Sequence, residues 1–280
     1  MNLMHRELQL RIISGIILAV IVLAATWYGG LAFSLLAALI GLLIYYEWST
    51  ITRLASEQPV ANAIGWIGQA AIAVAVVSGT VGYSLILLLL FFAIAVGFVV
   101  ARGVSRWFPA GIVYAGLTGI ALANIRGSDA AGLHAMLFVF AVVWATDILA
   151  YFIGRAIGGP KLAPRISPGK TWSGAIGGAV CAVIAGMLVA YAAFPDGVAL
   201  AAFVAFVLSV CSQSGDLFES FIKRRFGVKD SSRLIPGHGG VMDRVDGLIF
   251  ACFAAFLLAG LFSLIKGGEM ASLGAALFGG

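Results

Sequence analysis

Carboxylates, cations and glycines able to handle a phosphate crowd into one stretch, Gln213 to Asp246, of an otherwise apolar chain. Asp216, Glu219, Asp230, Asp243 and Asp246 alternate there with Lys223, Arg224, Arg225, Lys229, Arg233 and Arg244. Gly237-His238-Gly239-Gly240 precedes the last acidic pair. Carboxylate oxygens suit a hard cation such as Mg²⁺, and metal ions together with Lys and Arg neutralise charge in phosphoryl transfer. Glycines let backbone N–H groups come close to phosphate oxygens. On a helix, Asp216, Glu219, Ser220 and Lys223 share one face at three- and four-residue steps, with Leu217, Phe218, Phe221 and Ile222 opposite. Asp243 and Asp246 stand three apart where an apolar run begins, so a helix starting there points both the same way. The plainer alternative is that first-turn acids only complement the helix dipole. These residue types by themselves support metal-assisted phosphoryl or nucleotidyl transfer. Asp216, Asp243 and Asp246 are the metal candidates, and Lys223, Arg224, Lys229, Arg233 and Arg244 the phosphate candidates.

A second stretch, Thr146 to Thr171, carries further candidates. Asp147 lies inside a hydrophobic run, where a carboxylate costs about 2.5–3.5 kcal/mol near the bilayer centre and defaults to function. The structural alternative is an ion-pair face with Tyr151 and Arg155 at four-residue steps. The following loop holds Arg155, Lys161, Arg165 and Lys170 and no acid, which suits an anion but also a merely orienting cytoplasmic loop. Gly169-Lys170-Thr171 is not a P-loop: Pro164 stands at its first glycine and no strand precedes it.

The elements that must position these residues are membrane spans. Hydrophobic residues are 62% of the 280 and charged residues 10%, against about 25% charged in a soluble domain. That excludes a soluble globule, and the net charge of +5 calls for no nucleic-acid partner. Runs near 12–29, 31–48, 61–79, 82–101, 108–124, 134–154, 173–194, 197–215 and 247–265 are each close to the ~20 residues that span a bilayer. They predict an all-α polytopic membrane protein of about nine spans, residues 1–280 forming one integral-membrane domain. An uncleaved first span fits better than a signal peptide, despite Arg6 and Arg11 before it. With the N-terminus in the cytoplasm, that side receives Arg6, Arg11, Arg53, Arg102, Arg106, the 155–170 basic group and the Lys223–Arg244 cluster. The outer side keeps Arg126 and Lys266. Trp27-Tyr28, Tyr45-Tyr46, Trp48 and Trp107-Phe108 fall at run ends, where interfacial aromatics belong. Cys181, Cys211 and Cys252 stand singly in apolar runs and predict no metal site or disulfide.

The string Ser220-x-x-Lys223-Arg224, Lys229-Asp230, then Pro236-x-His238-Gly239-Gly240-x-x-Asp243-Arg244-x-Asp246 resembles the signature of the phosphatidate cytidylyltransferases (CDP-diacylglycerol synthases). The resemblance reaches upstream to about Asp147 through Thr-Asp, Gly-Arg and Ser-Pro-x-Lys-Thr-Trp elements. Gly169 departs from it where a basic residue is expected, and Ser173 where an acid is expected. It implies that phosphatidic acid attacks the α-phosphorus of CTP, giving CDP-diacylglycerol and pyrophosphate with Mg²⁺. A second cation, divalent or monovalent, stays open, as does a homodimer. The implied site faces the cytoplasm from the cell (inner) membrane and is built from 146–172 and 213–246. Asp216, Asp243, Asp246 and Lys229 are its catalytic residues. Lys170, Ser220, Lys223, Arg224, Arg233, His238, Gly239, Gly240 and Arg244 bind substrate, and Asp147 and Asp230 are further candidates. Two other classes predict different sequence features. An ion-coupled transporter would show repeats and polar residues at the midplane rather than on one side. A phosphatidyl-alcohol transferase would carry D-G-x-x-A-R, whereas Asp246-Gly247 runs on into Leu248-Ile249-Phe250.

Overall fold

The computed structural model describes residues 3–267 and 272–278, with side chains from residue 11 onward; the side chain of Arg6 lies outside the described residues. In chain order the elements are α1 (Leu3–Tyr28), α2 (Gly30–Ile51), the short α3 (Leu54–Glu57), α4 (Pro59–Val77), α5 (Val81–Arg102), α6 (Trp107–Arg126) and α7 (Ala130–Ile157). A two-stranded hairpin follows, β1 (Lys161–Ala163) and β2 (Ser167–Thr171). Then come α8 (Trp172–Ala193), α9 (Val198–Arg225), α10 (Met242–Ile265) and a terminal turn, α11 (Leu273–Ala276). Among the described residues nine helices are long and apolar enough to cross a membrane, as the hydropathy pattern predicts. Only such helices or closed barrels satisfy every backbone group in lipid. The chain is a membrane protein.

Two compact units form: Met1–Ala123 with Arg225–Arg244, and Asn124–Arg224 with Val245–Gly280. In the first, Ile44, Tyr45 and Trp48 of α2 and Phe108 and Ile112 of α6 are fully buried. Lipid gives no hydrophobic drive between helices, so close approach rests on small residues. A Cβ on Gly41 would lie 3.1 Å from the Ala115 carbonyl, and one on Gly119 3.3 Å from that of Ala37. Gln69 Nε2 donates to the Ile112 carbonyl at 3.0 Å, and Trp48 Nε1 to that of Trp107 at 2.9 Å.

In the second unit α7 and α8 touch through glycine. A Cβ on Gly178 would meet the Thr146 carbonyl at 2.8 Å, and one on Gly174 the Ala150 carbonyl at 2.6 Å. Thr146 Oγ1 donates to Ser209 Oγ at 2.8 Å, tying α7 to α9. The basic loop between α7 and α8 is the hairpin, pairing Lys161 with Thr171 and Ala163 with Ser167. Gly158 and Gly159, at φ 68° and 103°, turn the chain out of α7 as side-chain-bearing residues rarely can. The hairpin base closes where Trp172 N donates to the Pro160 carbonyl at 3.0 Å and Ser173 Oγ to that of Gly158. Ser173, where the resemblance expected an acid, is thus part of this closure. Thr171 caps α8, its Oγ1 accepting from Gly174 N at 3.2 Å.

Candidate active site

The sequence-predicted residues fall in two groups, one in each unit. In the second unit, a cavity of about 670 Å³ opens between α7, the hairpin and α9, with Asp147, Arg155, Lys161, Lys170, Gln213 and Asp216 in its wall. Lys170 Nζ pairs with Asp216 Oδ2, both side chains less than a third exposed. Ser220 Oγ donates weakly to the other Asp216 oxygen at 3.4 Å. Asp147 stands exposed in this wall, while Arg155 donates to Tyr151 OH at 2.9 Å. Asp147 therefore faces the cavity rather than completing an ion-pair face along α7.

Two glycines bring Asp216 and Asp246 near one another. A Cβ on Gly215 would run into the Asp246 carbonyl oxygen and lie 2.9 Å from Phe250 Cβ. One on Gly247 would lie 2.6 Å from Ser212 Oγ. At this crossing α9 and α10 approach by backbone, and Asp246 feels the charges of Asp216, Asp147 and Lys223. Glu219, almost wholly buried, pairs with Lys223 at 2.6 Å; Arg224 is exposed. The helical face that the spacing predicts for Asp216, Glu219, Ser220 and Lys223 is present, because α9 runs ten residues past the expected end of its span, to Arg225.

A second, apolar groove of about 630 Å³ lies between α8 and α9, with Trp172, Ile176, Val180, Ile184, Phe206 and Val210 along it. It shares Leu162, Ala175 and Gln213 with the polar cavity. A charged head with an apolar tail has matching surfaces in the two.

In the first unit the segment from 226 to 241 carries Lys229, Asp230 and Arg233, all exposed, followed by the glycine turn. Pro236-Gly237 occupies the centre of a turn closed by His238 N donating to the Ile235 carbonyl at 2.9 Å. Gly237 at φ 75° supplies the positive φ that a type II turn needs at its third residue. Ile235 N then donates to the Gly239 carbonyl at 2.8 Å. The next two glycines are dictated by carboxylates. A Cβ on Gly239 would lie 2.6 Å from Asp243 Oδ2, and one on Gly240 would collide with Ser231 Oγ and Glu47 Oε1.

Asp243 Oδ2 accepts from Ser231 N at 2.8 Å, Ser231 Oγ at 2.9 Å and Gly240 N at 2.8 Å. Glu47, absent from the sequence-based assignment, is wholly buried and collects four donors. Its Oε1 accepts from Ser232 Oγ at 2.6 Å and Val241 N at 2.8 Å. Its Oε2 accepts from Ser231 Oγ at 3.0 Å and Met242 N at 2.7 Å. The amides of Gly240 and Val241 are thus engaged by these carboxylates.

His238 Nδ1 lies 2.8 Å from Ser14 Oγ of α1, which also lies 3.1 Å from the Pro236 carbonyl. Partial burial, then the Arg244 and Arg11 charges, hold the imidazole below its ordinary pKa, against a hydrogen bond to the Pro236 backbone carbonyl that works the other way. Arg244 is exposed on the first turn of α10.

Among the described residues no cluster of three or more His, Cys, Asp or Glu is set to hold a metal ion. The available donors are aspartate oxygens in small groups. Mg²⁺ commonly takes one or two carboxylates and completes its shell with water and substrate phosphates, so the donor set fits that ion.

The chain was compared with known proteins. The model of the Cytidylyltransferase family matches residues 9–262. The phosphatidate cytidylyltransferase of Brucella abortus biovar 1 (strain 9-941) is 45% identical over 268 residues, covering 92% of this chain and 95% of that protein. Those of Staphylococcus saprophyticus and Haemophilus influenzae are 44% and 47% identical over 140 and 137 residues, about half of each chain.

Proposed function

The chain belongs to the cytidylyltransferase family, and from that premise we propose that it transfers CMP from CTP to phosphatidic acid. An oxygen of the lipid phosphate bonds to the α-phosphorus of CTP. The bond from that phosphorus to the β-phosphate oxygen breaks, and CDP-diacylglycerol and pyrophosphate result. The observation that carries the reading is the polar cavity holding the Lys170–Asp216 pair, with an apolar groove sharing its wall. Such a pair of surfaces suits a substrate whose phosphate belongs in water and whose acyl chains belong in lipid.

Two anions must meet, so neutralising their charge is the main task. Lys170, Arg155 and Lys161 face the cavity, and Lys229, Arg233 and Arg244 are exposed on and beside the glycine turn; these are the side chains assigned to phosphates. Asp216 and Asp246, in the second unit, are assigned to Mg²⁺, and Asp243, in the first, is assigned as a further carboxylate of the reaction. When bound, the ion would neutralise triphosphate charge and polarise the oxygens of the reacting phosphorus. Lys170 holds Asp216 in place until nucleotide phosphates compete for the ammonium. The site is assigned to the cytoplasmic face of the cell membrane, where the loop cations gather.

The test incubates purified protein with phosphatidic acid, labelled CTP and Mg²⁺ and looks for label in lipid. Label should enter lipid only with all three present. Asp246→Asn should lower kcat by about 10²-fold or more, the scale on which losing an electrostatic stabiliser acts, with the protein still folded. Absence of lipid label overturns the function, and a near-normal Asp246→Asn at limiting Mg²⁺ overturns that residue's role.

A further inference from the structure

Glu47 lies near the C-terminal end of α2, where its apolar run closes, and a carboxylate wholly buried there demands a reason. The four donors converging on it all come from the segment between α9 and α10 and from the first residue of α10 itself. We infer that Glu47 is a positioning residue for the transfer reaction: its carboxylate folds the 231–242 segment and, through Ser231, orients Asp243. This rests on the function proposed above, with Asp243 a carboxylate of that reaction.

The geometry makes the role specific to a carboxylate. Each Glu47 oxygen faces one backbone N–H, Val241 for Oε1 and Met242 for Oε2. Backbone N–H groups only donate, so an amide at position 47 sets its NH₂ against a donor whichever way it is turned. Ser231 Oγ lies between Glu47 Oε2 at 3.0 Å and Asp243 Oδ2 at 2.9 Å. Its single proton satisfies one oxygen at a time, so the settings of the two carboxylates are linked through one hydroxyl. Gly240 belongs to the same assembly, since any side chain there would strike Ser231 and Glu47. Outer partners that orient metal-binding carboxylates typically matter 10–100-fold to affinity or rate.

The experiment compares purified Glu47→Gln, Glu47→Asp and Ser232→Ala with the wild type. It reads amide hydrogen exchange across 231–243, kcat and KM for CTP, and the Mg²⁺ concentration giving half-maximal rate. Glu47→Gln should speed exchange at Val241 and Met242, lower kcat about 10–100-fold and raise the Mg²⁺ requirement. Glu47→Asp, which keeps the acceptors on a shorter stem, should recover part of each. Ser232→Ala removes one donor, leaves the backbone contacts and should shift the same readouts less. If Glu47→Gln does not fold, the other two variants carry the test. The inference is overturned if exchange quickens while kcat and the Mg²⁺ requirement per folded molecule stay at wild-type values, or if exchange is unchanged. A wild type that transfers no CMP while Glu47→Gln still loosens the segment would overturn the proposed function and leave Glu47 as the residue that folds this loop.

Discussion

His238 is held against α1: its Nδ1 lies 2.8 Å from Ser14 Oγ, which donates to the Pro236 carbonyl at 3.1 Å, and its Nε2 lies 3.7 Å from where a Cβ on Gly15 would stand. Arg244 and Arg11 oppose a second proton, with burial the larger cause, so the folded-state pKa lies below the ordinary 6.5. As pH falls below 6.5 the unfolded chain binds this proton first. The neutral ring's share of stability is therefore full above 6.5 and lost as pH falls through the lowered folded value. A general base is needed when a nucleophile must lose a proton. A phosphomonoester with a second pKa of about 6 is already mostly dianionic at neutral pH, so none is required here. His238→Gln should lower the rate moderately and leave the acid limb of the pH–rate profile in place, tracking the lipid phosphate. Loss of both turnover and that limb in a folded variant that still binds CTP would make His238 the base. The sequence made His238 visible because glycines flank it. It could not reveal Ser14 or Glu47, because their partners lie 222–224 and 184–195 residues downstream.

Between elements, the α9–α10 crossing is the contact on which the carboxylates of the second unit depend. Gly215→Ala would press a methyl group onto the Asp246 carbonyl and Phe250. Overpacking of this kind costs about 1–3 kcal/mol, and the strain falls beside Asp216 and Asp246. Gly260, on the same α10, has open space around its would-be Cβ. Gly260→Ala should be neutral or stabilise by up to about 0.5–1 kcal/mol through helix propensity. Thermal unfolding in detergent should show Gly215→Ala lowered and Gly260→Ala unchanged or raised, with activity lost only in the former. Equal behaviour of the two would remove the crossing as the positioning contact. The spans were legible because hydropathy responds to lipid, whose contact with each helix is local in sequence. Their ends are less so: the apolar run closes near 215, yet α9 continues to Arg225 as an amphipathic extension, the helical face that the spacing of Asp216, Glu219, Ser220 and Lys223 suggests. The hairpin shows in the sequence only as a basic loop, since strands of three and five residues, with Pro164 between them and Pro168 inside the second, show no alternation. Its order comes from closure at Ser173 and Trp172, a contact that composition does not betray.

At the scale of the molecule, the nine apolar helices among the described residues leave a definite set of connections. Starting with the N-terminus in the cytoplasm, the α2–α4, α5–α6, α7–α8 and α9–α10 connections all fall on that side. They carry Arg53, Arg106, the hairpin cations and the Lys229–Arg233 segment, and Arg102 closes α5. The opposite connections keep little charge beyond Arg126 at the end of α6, Asp129 and Asp196. Positive charge on short loops sets orientation during insertion, and the same cations are the ones proposed to meet the triphosphate of CTP, a cytoplasmic substrate. Both considerations point one way. In intact cells a membrane-impermeant maleimide should modify Ser128→Cys, an exposed position between α6 and α7. It should leave Arg165→Cys, at the hairpin tip, and Lys229→Cys untouched until the membrane is opened. Cys181, Cys211 and Cys252 all lie within helices, so the unsubstituted chain supplies the background. Labelling of position 165 or 229 from outside would invert the orientation and move the proposed site away from its nucleotide. Failure of all three positions to label even after permeabilisation would show instead that exposure, not sidedness, limits the reaction.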